Sequence, residues 1–272
     1  MNAPVSFNRP QLTAIGSGKG GTGKTLIAVS LAHALAYEGE KVLLLDADFG
    51  LSNTSVHLGL ESGGDFAGVL NGKTPLASAV VPVLGGSATR GGFDLLAPPS
   101  GSGAMANLSE EVAGKLIAQL RAAHQYTRII MDLGAGVDST TMHMACTADE
   151  TLLVLSPDPA SLTDAYAFAK LFLRGTGSRT PITLVNMAAN DTEGRRTADA
   201  LSSTCRAFLR VVPEYLGSVP RDARALEAVR RQSQLLTLYP QSPAAKAVCA
   251  AAQRMHAKLG TAAASTQSGG LR

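Results

Sequence analysis

The chain of 272 residues has no Trp and only 4% aromatic residues, so its interior must be packed from Ala, Leu and Val. Cysteine is equally scarce. Cys146, Cys205 and Cys249 lie far apart with no CxxC pair, and the five histidines are scattered. That spacing argues against a disulfide framework and a Cys/His metal site, and free thiols in a reducing compartment are expected. No run approaches 18 apolar residues, and residues 1–11 lack a basic-then-apolar leader pattern. A cytoplasmic protein is expected. A net charge of +3 is too mild for a dedicated nucleic-acid binder.

What the chain has is a loop. Gly16-Ser17-Gly18-Lys19-Gly20-Gly21-Thr22-Gly23-Lys24-Thr25 follows the apolar run Leu12–Ile15 and opens a helical pattern from Leu26. Gly18-x4-Gly23-Lys24-Thr25 is a complete phosphate-binding loop in its strand-loop-helix setting. Glycines let successive backbone N–H groups turn onto a polyphosphate, and the helix start points its positive end at the same anion. Lys24 is placed to reach the β/γ-phosphates, and the Thr25 hydroxyl to ligate Mg²⁺. Lys19 is a second cation, more than one nucleotide needs from a single loop.

Two apolar strands then end in carboxylates. Residues 41–46 close on Asp46, with Asp48 two residues on; residues 128–132 close on Asp132, followed by Gly134 and Gly136. Open α/β sheets bind ligands at the carboxyl ends of their strands. Asp46 and Asp48 are therefore candidates for the metal shell and the attacking water, and Asp132 for the magnesium side of the loop.

The remaining chain reads as an α/β alternation. Residues 63–99 are rich in Gly, Ser and Pro, with helices expected at 66–70 and 76–81, a loop at 85–92 and a strand at 93–97. Residues 108–124 form an amphipathic helix with Val112, Leu116, Ile117 and Leu120 on one face. Strands follow at 151–156, 181–186 and 216–219, and helices at 161–173, 195–209, 221–230 and 243–259. Repeated β-then-α units imply a single-domain P-loop NTPase with a mostly parallel central sheet flanked by helices. Residues 1–11 are a short extension, 12–259 the ATPase domain and 260–272 a disordered tail.

The Lys19-to-Thr25 sequence resembles the deviant phosphate loop of the MinD/ParA ATPases. Asp46-Ala47-Asp48-Phe49-Gly50-Leu51-Ser52-Asn53 and Asp132-Leu133-Gly134-Ala135-Gly136 are similar to that family's two switch segments. Ala148-Asp149-Glu150 with Asp158-Pro159-Ala160-Ser161, Leu216-Gly217-Ser218-Val219-Pro220-Arg221-Asp222, and Leu238-Tyr239-Pro240-Gln241-Ser242-Pro243 narrow the likeness. They resemble the FlhG/FleN (YlxH) group, which regulates flagellar number and placement.

The resemblance implies an ATPase that turns ATP into ADP with Mg²⁺ and forms a homodimer when ATP is bound. Lys19 then acts across the dimer, Lys24 within its own loop, and Gly18, Gly20, Gly21, Thr22 and Gly23 cradle the phosphates. Thr25 and Asp132 hold the metal with Asp46 in support, and Asp48 orients the water. Asn186, Pro220 and Asp222 border the adenine; an amide can meet both edges of that base. Implied partners are the flagellar GTPase FlhF, switch-ring proteins, a flagellar transcription regulator and the inner membrane surface. Three features depart from the group: Ser55 stands where an aspartate is usual, residues 1–11 lack the glutamine motif that stimulates FlhF, and the apolar stripe Val248, Ala251, Ala252, Met255 and Leu259 is not bulky. That stripe leaves core docking and membrane contact open. Arg221, Arg224, Arg230 and Arg231 are the candidate surface for an alternative, a ParA-type partition ATPase on nonspecific DNA, with a solvated helix face the favoured reading. A metal-cluster carrier is disfavoured by the unpaired cysteines.

Overall fold

An eight-stranded sheet runs through the computed structural model, which describes residues 9–50, 52–60, 64–99 and 109–268, with side chains described as far as 259. The strands are β1 (Gln11–Ser17), β2 (Val42–Ala47), β3 (Val81–Val83), β4 (Phe93–Leu96), β5 (Arg128–Ala135), β6 (Glu150–Leu155), β7 (Ile182–Ala188) and β8 (Tyr215–Pro220). Their order is β3-β4-β2-β5-β1-β6-β7-β8, and only β3 runs antiparallel to its neighbour. A parallel sheet must be covered on both faces, which explains the unbroken apolar runs. In β2, Leu43 and Leu45 enter one core while Val42 and Leu44 enter the other.

One face is covered by α5 (Glu110–Arg121), α6 (Ser139–Thr147), α7 (Pro159–Thr176) and α8 (Asp191–Leu209), through Leu116, Met144, Phe168 and Leu201. The other is covered by α1 (Lys24–Tyr37), α9 (Ala223–Arg230), α10 (Leu235–Leu238) and α11 (Pro243–Ser268), through Leu31, Ala228, Leu235 and Val248. Short helices α2 (Thr54–His57), α3 (Phe66–Leu70) and α4 (Leu76–Ala79) lie between β2 and β4 in the chain. Away from the phosphate loop, buried Arg128 of β5 meets Glu40 at 2.7 Å and the Thr13 hydroxyl at 3.0 Å, while His256 of α11 reaches Glu40 at 2.9 Å. A buried ion pair needs such extra hydrogen bonds to offset its desolvation.

Several sequence expectations are corrected. The helix expected over 76–81 stops at Ala79, and Val81–Val83 is an edge strand; Pro82, which lacks an N–H donor, suits an edge. On α5 it is Ala113 that is buried beside Leu116, Ile117 and Leu120, with Val112 only half-buried. Helices α6 and α10 were not anticipated: α6 reads Ser-Thr-Thr-Met-His-Met-Ala-Cys-Thr, with little apolar period, and depends on Asp138 accepting from the Thr141 amide. α8 begins at Asp191, ahead of the expected 195, because the Asn190 side chain caps it through the Glu193 amide. α11 continues past 259 to Ser268, where Ala262, Ala263 and Ala264 carry high helix propensity, so the expected structureless tail is corrected as far as Ser268. The start of the helix expected at 108, Leu51 of the first switch segment, residues 1–8 of the extension and residues 269–272 lie outside the described residues.

Candidate nucleotide-binding site

The central strand β1 delivers the loop and α1 leaves it, so the helix N-terminus faces the loop interior. Two glycines are demanded by their surroundings. A Cβ on Gly18 would lie 2.2 Å from the Asp164 backbone in α7. Gly23, the residue before α1, has φ 82°, and a Cβ there would meet Asn186 Nδ2 at 2.4 Å. Lys24 opens α1 and is almost buried, and the Thr22 hydroxyl is buried without a partner among the described residues.

The two carboxylates expected from the strand ends stand side by side. Asp46 of β2 and Asp132 of β5 are register partners. Asp132 is buried, its Oδ1 has no hydrogen-bond partner among the described residues, and the Thr25 hydroxyl bonds to its carboxyl. Burial pushes Asp132 up to about 7, with Asp46 and Asp48 raising it further and Lys24 opposing them. A buried oxygen that lacks a donor, next to a threonine hydroxyl, is the hard oxygen set that suits Mg²⁺.

Asp46 is differently placed from its expected metal role. Its Oδ1 accepts from the Asp48 amide at 3.1 Å. Its Oδ2 accepts from the Ser52 hydroxyl at 2.8 Å and from the Asn53 and Thr54 amides at 3.2 and 3.0 Å. Both oxygens are thus committed to folding the loop that follows β2. Asp48 projects toward the end of β5, where a Cβ on Gly134 would come within 3.7 Å of its Oδ1. The two switch-like segments therefore meet at this point. Ser55 is buried in α2, with its hydroxyl unpartnered among the described residues.

Lys19 reaches away from its own loop. Its Nζ lies 3.1 Å from Asp158 Oδ1 at the start of α7, while the Ser17 hydroxyl donates to the Lys19 carbonyl at 2.6 Å. Asp158 also caps α7 through the Ser161 amide at 2.8 Å and accepts from the Ser156 hydroxyl at 2.6 Å. No site role follows for Asp158 from sequence reasoning alone; its signal is an Asp-Pro helix start, read there as motif and not as a partner of Lys19.

The adenine-side residues are partly reassigned. Asn186, buried at the end of β7, donates from Nδ2 to the Thr22 carbonyl at 2.8 Å, so its amide nitrogen props up the phosphate loop. Asp222 caps α9 through the Arg224 amide at 2.8 Å and receives the Ala244 amide of α11 at 3.1 Å. Its carboxylate joins two helices and so fixes the turn expected to border the adenine. Pro220 ends β8 beside it.

The alternative surface is weakly cationic. Arg224 and Arg231 both pair with Glu227, at 2.8 and 2.7 Å. The three cysteines are free, and among the described residues no group of three or more His, Cys, Asp or Glu could hold a metal ion. The α11 stripe docks on the core: Val248, Ala251, Ala252, Met255 and Leu259 are buried, with α11 packed on α1 and β8. Its apolar side is used in the core, the docking alternative that the sequence left open. Among the described residues no helix is long and apolar enough to cross a membrane.

Comparison with known proteins agrees with this geometry. Residues 13–235 match the CobQ/CobB/MinD/ParA nucleotide binding domain. The chain is 36% identical to the antiactivator FleN of Pseudomonas aeruginosa over 256 residues, covering 94% of this chain and 89% of that protein. It is 28% identical to the flagellum site-determining protein YlxH of Helicobacter pylori, over 99% of this chain and 91% of that one. Its fold is similar to that of the Aquifex aeolicus MinC:MinD cell division complex, with a TM-score of 0.74 and 28% identity over 91% of this chain and 96% of the other.

Proposed function

The chain belongs to the MinD/ParA family of nucleotide-binding ATPases, and on that premise we propose that it is a dimerising ATPase switch of the FlhG/FleN kind that regulates flagella. The observation that carries the reading is a complete phosphate loop holding a second lysine, Lys19, whose side chain lies outside its own phosphate cradle.

Within one chain, the loop amides from Gly18 to Thr25 and the Lys24 ammonium bind the ATP phosphates. Asp132 and Thr25 would hold Mg²⁺, which when bound neutralises charge on the β- and γ-phosphate oxygens. Asp48 orients the water that attacks the γ-phosphorus, giving ADP and phosphate. Asp46 acts one step back, anchoring the loop that carries Asp48. Asn186 holds the loop backbone and presents its amide to adenine, with Pro220 and the Asp222-capped turn alongside.

Lys19 leaves Asp158 and reaches the partner chain's phosphates, so dimerisation depends on ATP. Loss of the γ-phosphate releases both switch segments together, because Asp48 and Gly134 are in near contact. The partners read from this state are flagellar: FlhF, switch-ring proteins or a flagellar transcription regulator. A partition role on DNA is less supported, given the Glu227 pairs and the FleN and YlxH likeness. The direct test is to count flagella on cells whose only copy carries Lys24→Ala. A changed number is expected, and an unchanged number with normal protein levels contradicts the reading.

A further inference from the structure

A cavity of about 490 Å³ opens along the outer edge of β8, at the flank of the sheet opposite β3. It is walled by α8 on one side and α11 on the other, and of the residues expected to hold the nucleotide it includes only Pro220. Three cations converge on it: Arg195 from α8, and Lys246 and Arg254 from α11. The Arg195 guanidinium sits 5.1 Å above the Tyr215 ring, and Arg254 donates to the Leu216 carbonyl. Gly217 has φ 151°, and a Cβ there would lie 2.9 Å from Arg254 Nη1, so the missing side chain makes room for that guanidinium.

The charge around this cavity is unbalanced. Among the described residues none of the three cations pairs with a carboxylate, although Arg224, Arg231 and Lys258 all do. Asp191 is the single acid of the lining, and its Oδ1 already accepts from the Ser218 hydroxyl at 3.0 Å. Covering the carbonyl edge of β8 accounts for Arg254. It accounts for neither Lys246 nor the meeting of cations from two separate helices. Like charges around one concavity raise its potential and draw an anion into it. Guanidinium forks and an ammonium suit phosphate oxygens, and Tyr215 adds a hydroxyl.

We propose that this cavity is a second anion site, separate from the phosphate loop, which takes a small phosphate-bearing ligand. Its volume falls in the range of small-molecule sites, about 300–1,000 Å³. The ligand's phosphates lie between Arg195 and Lys246, and its remaining part rests toward Pro220 and Ala250.

Inorganic pyrophosphate, titrated into the full chain in magnesium-free buffer and followed by amide NMR shifts, tests this. The two sites report through different amides, so binding at the phosphate loop cannot be mistaken for binding here. Saturable shifts at Gly217, Ser218 and Lys246 are expected, at least tenfold weaker in the Arg195→Glu/Lys246→Glu chain, while the Gly18-to-Thr25 shifts persist as a control for folding. The milder Arg195→Gln/Lys246→Gln pair should weaken the same shifts in the same direction. Shifts confined to the phosphate loop, or cavity affinity unchanged in both double variants, overturn the proposal.

Discussion

Lys19 Nζ lies 3.1 Å from Asp158 Oδ1, so the lysine assigned to act across a dimer is held, in the single chain, by its own subunit. Asp158 stays charged for this pairing. The Ser156 hydroxyl and the Ser161 amide hold its carboxyl down to about 2, against an opposing effect of burial, with Lys19 adding a smaller share. Both side chains reach solvent, at 35% and 44% exposure, so the pair is worth only about 0–1 kcal/mol. A phosphate charge can displace so weak a tether.

Removing the tether should therefore ease dimerisation. Asp158→Asn keeps a side chain able to cap α7 but drops the charge. In analytical ultracentrifugation with a non-hydrolysable ATP analogue, its dimer should form at a protein concentration up to about thirtyfold lower than wild type, because each dimer breaks two such pairs of about 0–1 kcal/mol. An unchanged midpoint would mean that Asp158 does not compete for Lys19.

Asp48→Ala should separate binding from hydrolysis. The carboxylate lies at the meeting of the two switch segments, and its loop is anchored independently by Asp46. ATP binding and dimer formation should survive, while single-turnover hydrolysis falls about 100-fold or more. Loss of ATP binding would show that Asp48 shapes the pocket instead.

Asn186→Ala should loosen the loop without unfolding the chain. It removes the donor to the Thr22 carbonyl and the contact with Gly23. One such buried bond is worth about 1 kcal/mol, so ADP affinity measured by calorimetry should drop roughly five- to tenfold, with the melting temperature little changed. Unaltered affinity would deny the prop.

His33 predicts a stability that declines in mild acid. It is buried in α1, stacked on Tyr37 with ring centroids 4.8 Å apart, and burial lowers it to about 4. Between pH 6.5 and 4 the unfolded chain takes up a proton that the folded chain refuses, so this contribution is present above 6.5 and lost as pH falls toward 4. In urea titrations, His33→Leu should flatten the decline by up to about 3 kcal/mol over that window. Parallel pH curves for the two proteins would place the acid sensitivity elsewhere.

The loop glycines and the strand-end aspartates were legible in the sequence because their constraints are local. Gly18 and Gly23 are glycines for reasons of backbone approach and φ, and Asp46 and Asp132 end apolar runs that must be strands in a doubly covered sheet. Roles that depend on side chains far apart in the chain were not legible. Asn186 and Thr22 are 164 residues apart, and Lys19 and Asp158 are 139 apart, so no periodicity links them. The burden on Asp46 was hidden for a related reason. A carboxylate that folds its own loop and one that ligates a metal look alike until the donors around each are seen. Helix α6 escaped because capping by Asp138 and packing, not propensity, make it helical.

The central claim is that Lys19 makes the dimer, and light scattering of the wild type and Lys19→Ala chains with a non-hydrolysable ATP analogue tests it most directly. The account predicts that the wild-type mass doubles with the analogue and not with ADP, while Lys19→Ala binds the analogue and stays a single chain. A Lys19→Ala chain that doubles as the wild type does would contradict it.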